Sequence, residues 1–156
     1  METLKSLLAN EKNAATLNEY TLTDFLGRGG FAHVYKAVSR FSGETFAIKV
    51  YSKEDKKATK SRTANLRKES EMLRALKHPN IVKFVEYKES STHIFIVLEY
   101  CNGGDLLKYL EKRTKNFGTW QLDPKTLTSV VKKIVKVLEF LHGQKMIHRD
   151  IKPGIL

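Results

Sequence analysis

The stretch from Leu26 to Lys49, LGRGGFAHVYKAVSRFSGETFAIK, constrains the fold more than any other part of the chain. Glycines at 27, 29 and 30 separate one strand-like run, Tyr20 to Phe25, from a second, Phe31 to Val38. The pattern is that of a hairpin with almost no side chains in its turn. Glycine reaches positive φ without a Cβ clash and lets backbone N–H groups approach a ligand closely. Ser42-Gly43 turns the chain again, and a third run, Thr45 to Tyr51, delivers Lys49 behind the apolar lead-in Phe46-Ala47-Ile48. Glycines to cover phosphates and a lysine to pair with them suggest a nucleotide. Taken alone, the same residues suit an ordinary turn and a solvated strand edge, which is the commoner case.

The rest of the first half reads as one small sheet carrying one helix. Periodicity places a helix over Arg62 to Leu76, stopped by His78-Pro79-Asn80, and two further β-rich runs at Ile81 to Tyr87 and His93 to Leu98. Five strands and a helix on one side describe an antiparallel α+β unit. Residues 1–19 read as a partly helical, loosely held lead-in. Within the helix, Leu66, Met72, Leu73 and Leu76 mark an apolar stripe, and Glu69 falls on it, three residues after Leu66 and four before Leu73. A carboxylate aimed at a core is costly unless a cation meets it, and Lys49 is the obvious cation on a central strand. The alternative is that Glu69 lies at the edge of the stripe and reaches solvent.

The pattern changes after Leu98. Leu98-Glu99-Tyr100-Cys101-Asn102-Gly103-Gly104 loses its apolar periodicity at two glycines, a linker or hinge signal, and Asp105 then caps a short helix, Leu106 to Lys112. After a polar loop, Asp123-Pro124 opens the longest helix as N-cap and first-turn proline. Its stripe of Leu127, Val130, Val131, Ile134, Val137, Leu138 and Leu141 is that of a core helix, with Gly143 at its end and lysines 132, 133 and 136 on the solvent face. Met146-Ile147-His148-Arg149-Asp150-Ile151-Lys152-Pro153 follows, a cluster that suits either a structural loop or a catalytic one.

Net charge of +11 raises the question of nucleic acid, and Lys53 to Lys68 alone contributes +5. That segment has no interleaved aromatics for base stacking and no zinc or helix-turn-helix spacing, so a solvated face is expected and no specific nucleic-acid partner. The single cysteine, Cys101, excludes an internal disulfide framework and suits a reducing compartment. No apolar run is long enough for a membrane span, and the start METLKSLLANEKN lacks a signal-peptide apolar region, which points to an intracellular, cytoplasmic protein.

Taken in order, the glycine-rich loop, Ala47-Ile48-Lys49 in the third strand, the helix glutamate Glu69 and His148-Arg149-Asp150 match a signature set. With these motifs the chain resembles the eukaryotic protein kinases, and Lys152, two residues past Asp150, is similar to their serine/threonine class. The resemblance implies an N-lobe at 20–98, a hinge at 99–104 and the start of a helical C-lobe at 105–156, incomplete. It implies ATP as cofactor and a protein substrate. Gly27, Gly29 and Gly30 would lie over the phosphates, with Ala32 in place of a third family glycine. Leu26, Val34 and Ala47 would sleeve the adenine, with Leu98 as gatekeeper. Glu99 and Cys101 would bond adenine through their backbones, and Asp105 would reach the ribose. Lys49 would hold the α- and β-phosphates and pair with Glu69, while Asp150 would be the catalytic base and Lys152 would neutralise the transferring phosphoryl group. His148 and Phe84 look like internal packing residues, and Arg149 like a partner for a phosphorylated loop.

Within the family, GRGGFAHVYKA resembles the polo-like kinases, which implies cytoskeletal or centrosomal association, and VLEYCNGGDL resembles the Unc-51-like kinases. Two departures bear on activity. Ile155 stands where the family has asparagine, either as a replacement or because one residue is missing from an Asn-Ile-Leu ending, and no Asp-Phe-Gly follows before Leu156, so the ligands that the family uses for Mg2+ are absent from this chain. The expectation is a kinase domain cut short after its catalytic loop, weak or inactive as it stands, with the apolar stripe of its long helix exposed. The alternative reading is an inactive kinase-like module that binds nucleotide or a partner.

Overall fold

The computed structural model describes residues 4–29, 32–54 and 60–154. Gly30, the start of the expected second strand at Phe31, part of the basic segment and Ile155 lie outside them. Helices α1 (Leu4–Ala9) and α2 (Glu11–Thr16) precede strands β1 (Tyr20–Arg28), β2 (His33–Ser39) and β3 (Thr45–Ser52). Helix α3 (Lys60–Ala75) leads to β4 (Phe84–Glu89) and β5 (His93–Glu99), followed by α4 (Leu106–Phe117) and α5 (Pro124–Gly143). The chain forms two compact units, residues 1–77 with 82–100, and residues 78–81 with 101–156.

In the first unit the strands make one antiparallel sheet in the order β1-β2-β3-β5-β4. Strand β5 is buried from His93 to Leu98 because both of its faces are covered, which is why HIFIVL reads as a continuous apolar run rather than an alternating one. One face packs Tyr35, Ala37, Ile48, Val50, Phe95 and Val97 against Leu7 and Leu17. The other packs Ile94, Ile96 and Leu98 against Leu66 of α3, with Tyr51, Phe84 and Tyr87 at the margin.

The first correction concerns residues 4–19, which are not loosely held. Leu7 is fully buried, Leu17 nearly so, and Asn13 between them has no exposed surface. The Asn13 amide donates to the Leu7 carbonyl at 3.2 Å and to Nδ1 of His93 at 3.1 Å, and its oxygen accepts from Ser90 Oγ at 2.6 Å and Thr92 Oγ1 at 3.1 Å. A single side chain thus ties α2 to the β4–β5 turn. Beside it, Lys88 pairs with Glu19 at 2.7 Å, and the Tyr20 hydroxyl donates to Glu86. Burial, then the Glu86 and Glu19 carboxylates, push the Tyr20 phenol well above its usual range.

In the second unit α4 runs five residues beyond the expected Lys112, because Arg113 to Phe117 keep helical geometry until Gly118 takes φ 68° and its N–H closes on the Thr114 carbonyl. Asp123 caps α5 as expected, accepting from Thr126 N at 2.8 Å, and this bond holds its carboxyl below the usual range. The apolar stripe of α5 is only partly covered: Leu141 is buried and Val130, Ile134, Val137 and Leu138 are half-buried, while Leu127 and Val131, and Val135 outside the stripe, are each about half exposed.

Candidate functional site

Because β2, β3 and β5 pair antiparallel, residues directly opposite each other point to the same face. Val34 lies opposite Lys49, Lys49 opposite Ile96, and Ala47 opposite Leu98. Side chains alternate along β3, so Ala47 and Lys49 share a face that excludes Ile48 and Val50. The register therefore brings Val34, Ala47, Lys49 and Leu98 onto the sheet face that carries α3, opposite the face covered by α1 and α2. Gly27 pairs with Val34 at the end of β1, and Leu26 beside it is half-buried.

Strand β1 slips register at two places between Leu22 and Gly27, where the chain approaches the glycine-rich turn. The Gly29 N–H donates to the Ala32 carbonyl at 2.8 Å and closes that turn. A Cβ on Gly27 would meet nothing within 4 Å, so the backbone there is open to a ligand. Lys49 is half-buried and, among the described residues, has no ion pair. The open backbone at Gly27 beside the unpaired Lys49 ammonium fits a polyanionic ligand, and the same face carries a second cation, Lys36, opposite Ala47 and paired with Asp24 at 3.8 Å.

Glu69 requires a second correction. Among residues 64–75 of α3 only Leu66 and Ser70 are buried, and Glu69 is exposed. Helical geometry puts Leu66 and Ser70 about 40° apart at ~100° per residue, with Glu69 off to one side, so the edge-of-stripe alternative holds. Among the described residues no ion pair joins Glu69 to Lys49. A different carboxylate anchors α3, one the sequence reading overlooked. Glu89, at the end of β4, accepts from Lys53 Nζ at 2.6 Å, from the Arg67 guanidinium at 2.7 and 3.0 Å and from the Tyr87 hydroxyl at 2.7 Å. Burial alone would raise its carboxyl, but these three donors outweigh it and hold the group down at about 2. A cavity of ≈ 430 Å³ opens between α3 and β4, lined by Arg67, Glu71, Arg74, Phe84 and Glu86 among others, and contains none of the expected site residues.

Leu98 is buried, and the Glu99 N–H at the end of β5 donates to the Lys83 carbonyl at 2.9 Å. Phe84 packs at the margin of the core as expected.

In the second unit Cys101 is exposed, and Asp105 is the N-cap of α4, its Oδ1 accepting from Lys108 N at 2.8 Å. The Leu107 N–H donates to the Pro153 carbonyl at 3.2 Å, tying the first turn of α4 to the segment after Asp150. Arg149 adopts φ 66°, a left-handed conformation that a bulky side chain takes only at a cost, immediately before Asp150. The Asp150 carboxylate pairs with Lys152 Nζ at 2.9 Å, and both side chains are more than half exposed. His148 is exposed rather than packed, and its Nδ1 accepts from Asp150 N at 3.3 Å. Among the described residues no group of three or more metal-ligating side chains could hold a metal ion.

A sequence model described as the protein kinase domain matches residues 20–155. The chain belongs to the protein kinase family. Among its relatives, cytokinesis protein sepH of Emericella nidulans is 40% identical over 90% of this chain and 10% of that protein. The serine/threonine-protein kinase ATG1 of Debaryomyces hansenii is 31% identical over 91% of this chain and 18% of its own length. The serine/threonine-protein kinase unc-51 of Caenorhabditis elegans is 36% identical over 86% and 15%. The chain thus spans under a fifth of the length of these curated relatives. Among solved structures, Rad53 residues 1–466 in complex with AMP-PNP superposes with TM-score 0.72 and 28% identity, covering 87% of this chain and 33% of that one. These relatives agree with a eukaryotic serine/threonine kinase domain, partial in this chain, and with the expected α+β N-lobe followed by the first helices of the C-lobe. The family uses ATP with magnesium and acts on protein substrates. No described helix is long and apolar enough to cross a membrane.

Proposed function

We propose that this chain carries the nucleotide-holding part of a protein kinase that transfers the γ-phosphate of ATP to serine or threonine hydroxyls of a protein substrate. The observation that carries the reading is the strand register, which gathers Val34, Ala47, Lys49 and Leu98 onto one face beside the open backbone at Gly27. Val34, Ala47, Leu98 and Leu26 would enclose the adenine, with Glu99 and Cys101 offering backbone groups and Asp105 the ribose contact. The Lys49 ammonium would hold the α- and β-phosphates, and the backbone of Gly27, Gly29, Gly30 and Ala32 would lie over them, the Gly29 N–H being given to the Ala32 carbonyl. Bound ATP supplies the transferable phosphoryl group. Asp150 would take the proton of the attacking hydroxyl, and Lys152 would neutralise charge beside it. The complex of Rad53 with AMP-PNP, an ATP analogue, supports this choice of ligand. Likeness to unc-51 and ATG1 favours the Unc-51-like motif over the polo-like one, and the cytoskeletal association implied by the latter rests on sequence alone.

A second reading, an inactive module that binds nucleotide or a partner, is favoured by the exposed Leu127, Val131 and Val135 on α5. ATP-dependent thermal stabilisation, measured with and without magnesium for the wild type and Lys49→Met, tests nucleotide binding. A rise in Tm that Lys49→Met reduces is expected; no rise in the wild type overturns the reading. Transfer of labelled phosphate to a protein substrate, lost in Asp150→Asn, separates the enzyme from the inactive module.

A further inference from the structure

Residues 147–154, which carry Asp150 and Lys152, form neither helix nor strand, so their place is set by what ties them to the rest of the second unit. At the near end the Met146 N–H donates to the Leu141 carbonyl of α5 at 2.9 Å. Beyond it, among the described residues, the one backbone hydrogen bond made by this segment runs from the Leu107 N–H of α4 to the Pro153 carbonyl, at 3.2 Å. The Asp150 N–H bond to His148 and the Lys152 pair with Asp150 are internal, so they fix the shape of the segment and not its position. Pro153 is three residues past Asp150, at most about 10 Å of extended chain, and the contact with α4 therefore limits where the carboxylate can lie. Arg149 at φ 66° points the same way, because such a conformation persists only where its surroundings hold it.

The Leu107 donor exists because of where α4 begins. The first N–H groups of a helix have no partner within it. Gly104 at φ 75° delivers Asp105 to the N-cap position, and Asp105 then satisfies two donors of the first turn: its carbonyl accepts from Tyr109 N at 3.1 Å and its Oδ1 from Lys108 N at 2.8 Å. Leu107 lies between them in the chain, and its N–H is the one that leaves the helix for Pro153. A turn that frays at the cap withdraws that donor. The second oxygen, Oδ2, has only the Lys108 ammonium, at 3.6 Å. Capping and the expected ribose contact thus call on different oxygens of one carboxylate.

We infer that Asp105 is a positioning residue for Asp150 and Lys152: by capping α4 it keeps the Leu107 N–H on the Pro153 carbonyl and so fixes the segment that carries both side chains. The inference rests on the transfer reading of Asp150 and Lys152, and it gives Asp105 a task apart from any contact with nucleotide.

The test compares the isotope-labelled chain with Asp105→Ser, Asp105→Asn and Asp105→Ala. Serine and asparagine cap a helix about as well as aspartate and alanine does not, while all three lack the carboxylate. Exchange of the Leu107 N–H should be about fivefold faster in Asp105→Ala alone. In that variant the backbone order parameters of Ile151, Lys152 and Gly154 should fall from about 0.85 toward 0.6, and in the two capping variants they should stay high. ATP affinity, which follows the carboxylate, should weaken alike in all three. At saturating ATP with magnesium, kcat for transfer to a protein substrate should be lower in Asp105→Ala than in Asp105→Ser. Unchanged order parameters in Asp105→Ala overturn the inference, as does equal loosening in Asp105→Ser. Equal kcat in those two variants of an active chain overturns it too. If the segment loosens in Asp105→Ala alone but no form of the chain transfers phosphate, the tie is supported and the transfer reading is refuted.

Discussion

Replacing Asn13 with alanine removes a fully buried side chain at the centre of a hydrogen-bonded cluster in the first unit. The amide makes four hydrogen bonds at 2.6 to 3.2 Å, to Leu7, Ser90, Thr92 and His93. Ser90 and His93 are themselves buried, so the loss strands polar groups away from water. At about 1 kcal/mol net for each bond, the sum is about 4 kcal/mol, and a water entering the vacated space would restore part of it, leaving roughly 2 to 4 kcal/mol. Urea unfolding followed by circular dichroism reads the change; with a slope of about 2 kcal/mol per molar, the midpoint should fall by roughly 1 to 2 M. Glu11→Ala on the exposed side of the same helix is the control and should shift stability by under about 0.5 kcal/mol. An Asn13→Ala loss no larger than that of the control would refute the view that α1 and α2 are built into the core.

Other expectations follow from the same structure. Folding holds the Glu89 carboxyl at about 2 against an ordinary 4.5, so its contribution is fully present above pH 4.5 and is lost as pH falls toward 2. Urea midpoints across that window should drop less steeply in Glu89→Gln than in the wild type, and equal slopes would contradict the assignment. Gly118→Ala forces an L side chain to φ 68° at the end of α4 and should cost about 1 kcal/mol in a thermal melt; no loss would mean that the helix ends elsewhere. Replacing exposed Val131 and Val135 of α5 with lysine should reduce self-association in sedimentation and binding of hydrophobic dye, with little change in stability. Undiminished association would show that the patch is not what makes the chain adhere.

The sheet was legible because its signals are local. Turn glycines, β-rich runs and a lysine behind Phe46-Ala47-Ile48 specify strands whose register then follows from the hairpins, and that register assembles Val34, Ala47, Lys49 and Leu98. Helix caps at Asp105 and Asp123 were legible for the same reason. What depends on long-range packing was not. The burial of Leu7, Asn13 and Leu17 comes from the outer face of the sheet, which α1 and α2 cover, and a six-residue helix gives too short a period to announce it. Glu69 fits the apolar stripe by spacing alone, yet two buried positions, Leu66 and Ser70, fix the roll of α3 and leave it outside. Glu89 carries no local signal of its role, since only the fold brings Lys53, Arg67 and Tyr87 around it.

The most direct test of the nucleotide site is a titration of the chain with ATP, followed by methyl resonances on both faces of the sheet. Val34, Ala47 and Leu98 should shift together with one affinity, while Val50 and Val97, on the face packed against Leu7 and Leu17, should stay in place. Shifts confined to Val50 and Val97, or no saturable shift at Val34, Ala47 and Leu98, would contradict it.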